Sequence, residues 1–115
     1  SNEMRNISFD ASDVLSVDGS MLPLEFALGQ NYPNPFNPTT KIQYALAKDA
    51  FVNISIYDLM GRSIKSLINI KQVAGFYEIN WNATNNNGEL VPAGMYFYMI
   101  QAGAFKSTKK MVILK

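Results

Sequence analysis

From residue 42 onward, apolar and polar positions alternate with the period of a strand. Ile42, Tyr44 and Leu46 alternate with Lys41, Gln43 and Ala45, and Val52, Ile54 and Ile56 alternate with Asn53, Ser55 and Tyr57. Alternation of this kind predicts half-buried strands, with Lys48-Asp49 turning the chain between them. Asp58-Leu59-Met60-Gly61 predicts a short hairpin loop in which Gly61 supplies a positive φ. Arg62 to Ile68 returns as a third strand, and Asn69 to Gly75 reads as a longer connection. Tyr77, Ile79 and Trp81 then face one way, with Phe76, Glu78 and Asn80 on the other. The polar run from Asn82 to Gly88 predicts a tight reversal, because Asn and Gly accept left-handed backbone at little cost. Val91-Pro92-Ala93-Gly94 makes another turn. Tyr96, Tyr98 and Ile100 alternate with Met95, Phe97 and Met99 in the most apolar strand, and Gly103 leads into a last strand from Phe105. No window of useful length has helical periodicity. About seven short strands, with turn signals at roughly 8–12-residue spacing, predict an all-β, antiparallel β-sandwich.

The pattern is different before residue 40. From Ser1 to Pro23 no period persists, and acids (Glu3, Asp10, Asp13, Asp18) face a single Arg5, so residues 1–23 read as a linker or the tail of a preceding region. Asp18-Gly19-Ser20 is a turn signal within it. Ser1-Asn2 reads as the scar of a removed tag, which predicts that the chain is a piece of a longer protein. Leu22, Leu24, Phe26 and Leu28 alternate enough for a short opening strand. Then three of the five prolines fall between Pro33 and Pro38. Each fixes φ and lacks an N–H, so no helix or central strand runs through this stretch. Asn34 and Asn37, each before a proline, are pushed to extended or turn geometry. The result is a stiff, irregular connector, pinned by Tyr32 and Phe36 where those rings meet an apolar surface.

Composition narrows the function. The 115 residues suit one packed domain with a tail, at 48% hydrophobic and 17% charged. A net charge of +1 provides no global basic field for nucleic acid or an anionic membrane. Cysteine and histidine are both absent, which excludes disulfides, thiol nucleophiles, imidazole bases and His/Cys zinc sites. No apolar run approaches the ~18 residues needed to cross a bilayer, so membrane insertion is not expected. There is also no amino-terminal signal-peptide pattern.

Four segments, in order, resemble one family. They are Phe26 to Thr40 (with Asn34-Pro35-Phe36-Asn37-Pro38 at its centre), Tyr57-Asp58-Leu59-Met60-Gly61-Arg62, Ala93-Gly94-Met95-Tyr96-Phe97-Tyr98, and Lys110-Met111-Val112-Ile113-Leu114-Lys115. Together they resemble the carboxy-terminal sorting domains of the type IX (Por) secretion system, from about Leu24 to Lys115. The chain is also similar to the immunoglobulin-like domain of flagellar hook-capping proteins. The resemblance implies an Ig-like sandwich over 24–115, borne at the end of a larger secreted bacterial protein and recognised by outer-membrane secretion machinery. It further implies a passenger domain on the amino-terminal side, secretion through the periplasm and outer membrane to the surface or medium, and removal by a sortase-like protease. Asn34, Pro35, Phe36, Asn37, Pro38, Asp58, Gly61, Arg62, Gly94, Tyr96 and Tyr98 are then signature positions of mostly structural meaning. The chain departs from the family at the asparagine-rich loop, where relatives are often acidic, at Ala47, where proline is common, and at Met99, where arginine is frequent.

Candidate chemistry follows from residue types. Lys106, Lys109, Lys110 and Lys115 place positive charge and no acid on the last strand. They read either as a basic surface offered to a partner, by charge and strand addition to an open edge, or as lysines that blunt an edge against aggregation. The loop Asn82 to Glu89 holds one carboxylate and has Gly in the wrong place for a calcium loop, so it reads as a turn and no metal or other cofactor is expected. Tyr77, Trp81, Tyr96, Phe97 and Tyr98 suggest a sugar-stacking platform, but their strand spacing beside aliphatics makes most of them core. Glu78 and Glu89 are the candidate carboxylate pair of a glycosidase, with nothing to place either in a pocket. The leading expectation is a non-enzymatic, monomeric sorting module. A passive Ig-like spacer and a carbohydrate-binding module are the alternatives.

Overall fold

The structure, a computed structural model, describes residues 14–17 and 20–114. Among these, the strands in order are β1 (Val14–Val17), β2 (Ser20–Pro23), β3 (Ala27–Leu28), β4 (Thr40–Leu46), β5 (Ala50–Tyr57), β6 (Ser63–Gln72), β7 (Gly75–Trp81), β8 (Gly94–Ala102) and β9 (Phe105–Ile113). β1 and β2 pair as a hairpin, within the stretch that the sequence reads as linker. The remaining strands form two antiparallel sheets, ordered β3-β4-β7 and β6-β5-β8-β9. These orders correspond to the A-B-E and C′-C-F-G sheets of an Ig-like sandwich. The expected all-β, seven-stranded sandwich is therefore what the chain forms.

The core lies between the two sheets and is built from the alternation. Ile42, Tyr44 and Leu46 of β4, Val52, Ile54 and Ile56 of β5, and Tyr96, Tyr98, Ile100 and Ala102 of β8 are all buried, joined by Trp81, Met111 and Ile113. The sheets are also bridged by polar contact, since the Tyr44 hydroxyl on β4 donates to Gln72 Oε1 on β6 at 2.7 Å. Tyr44 stacks on Tyr77 across the β4–β7 pair, with ring centroids 5.3 Å apart.

Three local expectations are corrected. The opening strand shrinks to Ala27–Leu28, paired with Ala45 and Tyr44, because the chain bends between Pro23 and Phe26. β6 runs on to Gln72, pairing Asn69 with Asn53 and Lys71 with Phe51, where a loop was expected. This is an outer strand whose far half faces solvent on both sides, so polar residues there cost no burial. Left-handed backbone in the asparagine-rich loop falls at Ala83 (φ 63°) and Gly88 (φ 80°), and at none of the asparagines. The Ala83 methyl is buried in the core, which holds the residue in that conformation.

Candidate recognition surface

The proline segment is tied into the fold by hydrogen bonds rather than by regular pairing. Asn31, fully buried, sits at the centre. Its N–H donates to the Tyr98 hydroxyl (2.7 Å) and its Nδ2 donates to Thr40 Oγ1 (2.9 Å) and Pro33 O (3.2 Å). Thr40 Oγ1 donates in turn to Pro33 O at 2.8 Å, and the Tyr98 hydroxyl donates to Gly29 O at 2.6 Å. Burial pushes the Tyr98 hydroxyl far above its ordinary pKa, so it remains a neutral donor and acceptor at every physiological pH. Gln30 Nε2 donates both to Asn31 Oδ1 and to Lys110 O, each at 2.7 Å, which couples this hub to β9.

Farther along, the same segment lies against the edge of β9. Asn34 Oδ1 accepts from Val112 N–H (3.0 Å), Phe36 N–H donates to Val112 O (3.0 Å), and Leu114 N–H donates to Phe36 O (2.8 Å). This forms a short parallel bridge between Phe36 and Ile113. The Phe36 ring enters the core against Trp81, which meets the edge of Tyr96; both centroid separations are 5.9 Å. The peptide bonds before Pro33, Pro35 and Pro38 are cis.

At the end of the sandwich near Gly94, the loop after β5 is held by one carboxylate. Asp58 Oδ1 accepts from the N–H groups of Met60 and Arg62, both at 2.9 Å, and Oδ2 pairs with Arg62 Nε at 2.8 Å. The Arg62 N–H above all, helped by its guanidinium and by the Met60 N–H, holds the Asp58 carboxyl below its usual range. Gly61 takes φ 84°, as the sequence predicts. Tyr96 donates its hydroxyl to Pro92 O, four residues upstream, at 2.7 Å, the tyrosine corner of Ig-like domains. Burial raises its pKa, with the Asp58 charge adding to the effect. Between these loops lies an open groove of about 610 Å³, lined by Leu59, Met60, Leu90 and Met95 among others. Its carboxylate, Asp58, is already engaged by Arg62, so the groove offers no acid–base pair.

Charge is sorted between the sheets. β6 carries Lys65 and Lys71, and β9 carries Lys106, Lys109 and Lys110, while no strand of the four-stranded sheet contains a carboxylate. Among the described residues the ion pairs lie elsewhere, at Lys41–Glu78 (3.3 Å) and Arg62–Asp58. Lys106 and Lys110 are exposed on the outer face, while Lys109 is half-buried on the inner one. Lys115 lies outside the described residues, as do Ser1-Asn2 and the Asp18-Gly19 turn signal.

The sequence profile of the secretion system C-terminal sorting domain matches residues 30–114, most of the chain. The chain belongs to that family. Sorting domains of this kind are non-enzymatic signals of type IX secretion that mark larger proteins for passage across the outer membrane to the surface or beyond. Comparison with curated proteins returns no match. Among solved structures the sorting domain is similar to dimeric latent PorU from Porphyromonas gingivalis, at 22% identity and TM-score 0.61, over 78% of this chain and 9% of that one. It is also similar to PorZ, a surface component of the type IX secretion system of the same bacterium, at 19% identity and TM-score 0.51, over 78% of this chain and 11% of that one. The sorting domain thus spans about a tenth of the length of either structure, and the likeness is one of fold.

The positions that the resemblance marks as signature fall in several parts of the fold. Asn34 and Phe36 tie β9, Asp58, Gly61 and Arg62 close one loop, and Tyr96 and Tyr98 sit in the core, while Gly94 takes φ 141° opposite Ile113. Pro35, Asn37 and Pro38 are exposed along the connector. The aromatic set is dispersed. Trp81, Tyr96 and Tyr98 are buried, Tyr77 is stacked on Tyr44, and Phe97 lies half-buried on the outer face, so they form no common platform. Glu78 pairs with Lys41, and Glu89 accepts from Asn85 Nδ2 at 3.0 Å. Asn85 Oδ1 also accepts from the N–H groups of Asn87 and Glu89, so the asparagine loop spends its polar groups on its own backbone. Sequence reasoning missed the hub of Gln30, Asn31 and Thr40. Its one signal was an amide-bearing pair, Gln30-Asn31, just ahead of the proline cluster that begins at Pro33.

Proposed function

We propose that this sorting domain is the element by which a larger bacterial protein is recognised by type IX machinery at the periplasmic side, without any chemistry of its own. A passenger would precede the domain, whose boundary we place near residue 24. After transit a sortase-like protease would remove the domain during surface attachment or release, and the domain acts as a monomer. Family membership over residues 30–114 supports this reading most strongly. The carboxylate-free, lysine-bearing sheet adds a physical basis, since a one-sign surface steers and selects partners of opposite sign. The recognition role falls on Lys106, Lys110 and Lys115, with Lys109 contributing from its half-buried position.

The test is a secreted reporter fused to residues 24–115 in a bacterium that has this pathway. Removing the last ten residues is a poor control, because it takes Met111 and Ile113 out of the core. Exchanging Lys106, Lys110 and Lys115 for Gln leaves the fold in place and removes only charge. The intact fusion is expected in the medium or on the surface, and the triple exchange is expected to lower export by about tenfold, the scale of losing a few charge contacts. An intact fusion that stays in the periplasm would refute sorting and leave the spacer reading. Full export of a folded triple variant would refute the role of the lysines.

A further inference from the structure

β9 is the outer strand of the four-stranded sheet and keeps an unbroken register with β8 from Phe105 to Ile113. In an antiparallel edge strand, alternate residues turn their N–H and C=O away from the neighbour. The contacts of Lys110 O, Val112 and Leu114 with the proline segment show which residues these are. By the same parity Lys106 and Thr108 turn both backbone groups to the open side, and Lys110 its N–H. Among the described residues no other backbone pairs with them. Among the described residues, the chain therefore pairs with one half of this edge and leaves the backbone of the other half unpaired and regular, with β3 of the facing sheet beside it on the inner side. The opposite edge is treated differently. β6 has register shifts opposite Ser55 and Tyr57, and its start is occupied by Asn86, which bonds Ile64 O and Ser66 N.

Natural edges are usually blunted by bulges, prolines or brevity, and from Lys106 to Lys110 only the lysines are present. They repel basic and discourage apolar strands, but they favour an acidic one. We propose that the open half of β9 receives an extended acidic segment of the secretion machinery as an added strand. Only the identity of the segment's bearer rests on the sorting reading above. Residues directly opposite one another in paired strands share a face. The incoming positions across from Lys106, Thr108 and Lys110 would then carry carboxylates on the outer face. The intervening positions lie on the inner face beside Phe105, Ser107 and Lys109, so an apolar residue suits the one nearest Phe105, which stacks on Phe26 with centroids 5.5 Å apart. Backbone hydrogen bonds would supply affinity, and the charges would supply selectivity.

The probe is an acetylated hexapeptide alternating glutamate and valine, titrated into the full chain and read by amide shifts and hydrogen exchange. The amides of Lys106, Thr108 and Lys110 are expected to exchange at least tenfold more slowly when the peptide is bound. Thr108→Pro removes an outward N–H without touching the β8 ladder, where an edge proline is tolerated. It should weaken binding by about tenfold or more, the scale of losing one or two hydrogen bonds. N-methylation of alternate peptide amides should do the same to the unaltered protein, which keeps the test valid if the proline variant misfolds. A lysine–valine peptide should not bind. Absence of slowed exchange, binding indifferent to both backbone changes, or equal binding of the acidic and basic peptides would each overturn the proposal. So would lysine-to-glutamine variants that self-associate while acidic peptide still fails to bind. In the reporter assay, normal export of a folded Thr108→Pro fusion would count against the edge alone, whereas failure of the unaltered fusion would count against sorting.

Discussion

At the level of single residues, Tyr98 acts by satisfying buried polar groups. The Tyr98 hydroxyl accepts from Asn31 and donates to Gly29 inside the core. Tyr98→Phe keeps the ring and strands both partners, so it is expected to cost about 1–3 kcal/mol in urea unfolding. Asp58 acts differently because it holds an exposed loop as an anion. Its carboxyl is depressed, so its contribution is complete above the ordinary carboxylate value of about 4 and is lost as pH falls through the lower, folded value. Asp58→Asn should therefore melt at a lower temperature than the parent near neutrality, and the two melting curves should converge on acidification. Scans between neutral and strongly acidic pH read this directly. A gap that stayed constant down to the acid limit would show that the charge is not what holds the loop.

Among the elements, the proline segment matters more than its lack of regular structure suggests. It has almost no ladder of its own, yet it delivers Phe36 to the core and pairs with the end of β9. Phe36→Ala is expected to cost about 3–5 kcal/mol in denaturant titrations, as for other fully buried aromatics. The amides of Val112 and Leu114 should exchange faster in that variant, because their acceptors belong to the segment. Unchanged exchange there would mean that the tie does not depend on the ring. The segment also marks where the sequence was readable and where it was not. Strands β4, β5, β7 and β8 were legible because each buries one face, and burial writes a period of two into the residues. The polar half of β6 was not, since an outer strand wet on both sides has no reason to alternate. The hairpin of β1 and β2 left no period either. The hub at Asn31 was hidden for another reason: an amide buried among turns looks, in sequence, like any turn residue.

For the whole molecule, charge is unevenly placed: among the described residues Lys65, Lys71, Lys106, Lys109 and Lys110 lie on the four-stranded sheet, which holds no carboxylate, while Glu78 lies on the other sheet with Lys41 and the remaining described carboxylates lie on loops. Composition alone reported a charge near zero and could not show this separation. The hub between Gln30 and Tyr98 carries a mechanical consequence. The described chain upstream of residue 30 is joined to the sandwich by the two-residue pairing of β3, the Phe26–Phe105 stack and the packing of β2 on β7, a thin attachment that would peel away first under tension. The load then meets Asn31, which grips β8 through Tyr98 and β4 through Thr40, while its neighbour Gln30 grips β9. A pull from a bulky cargo is thus shared across both layers at one point, and a label dragged through a pore by its load would yield last where it is clasped rather than unzip from its end.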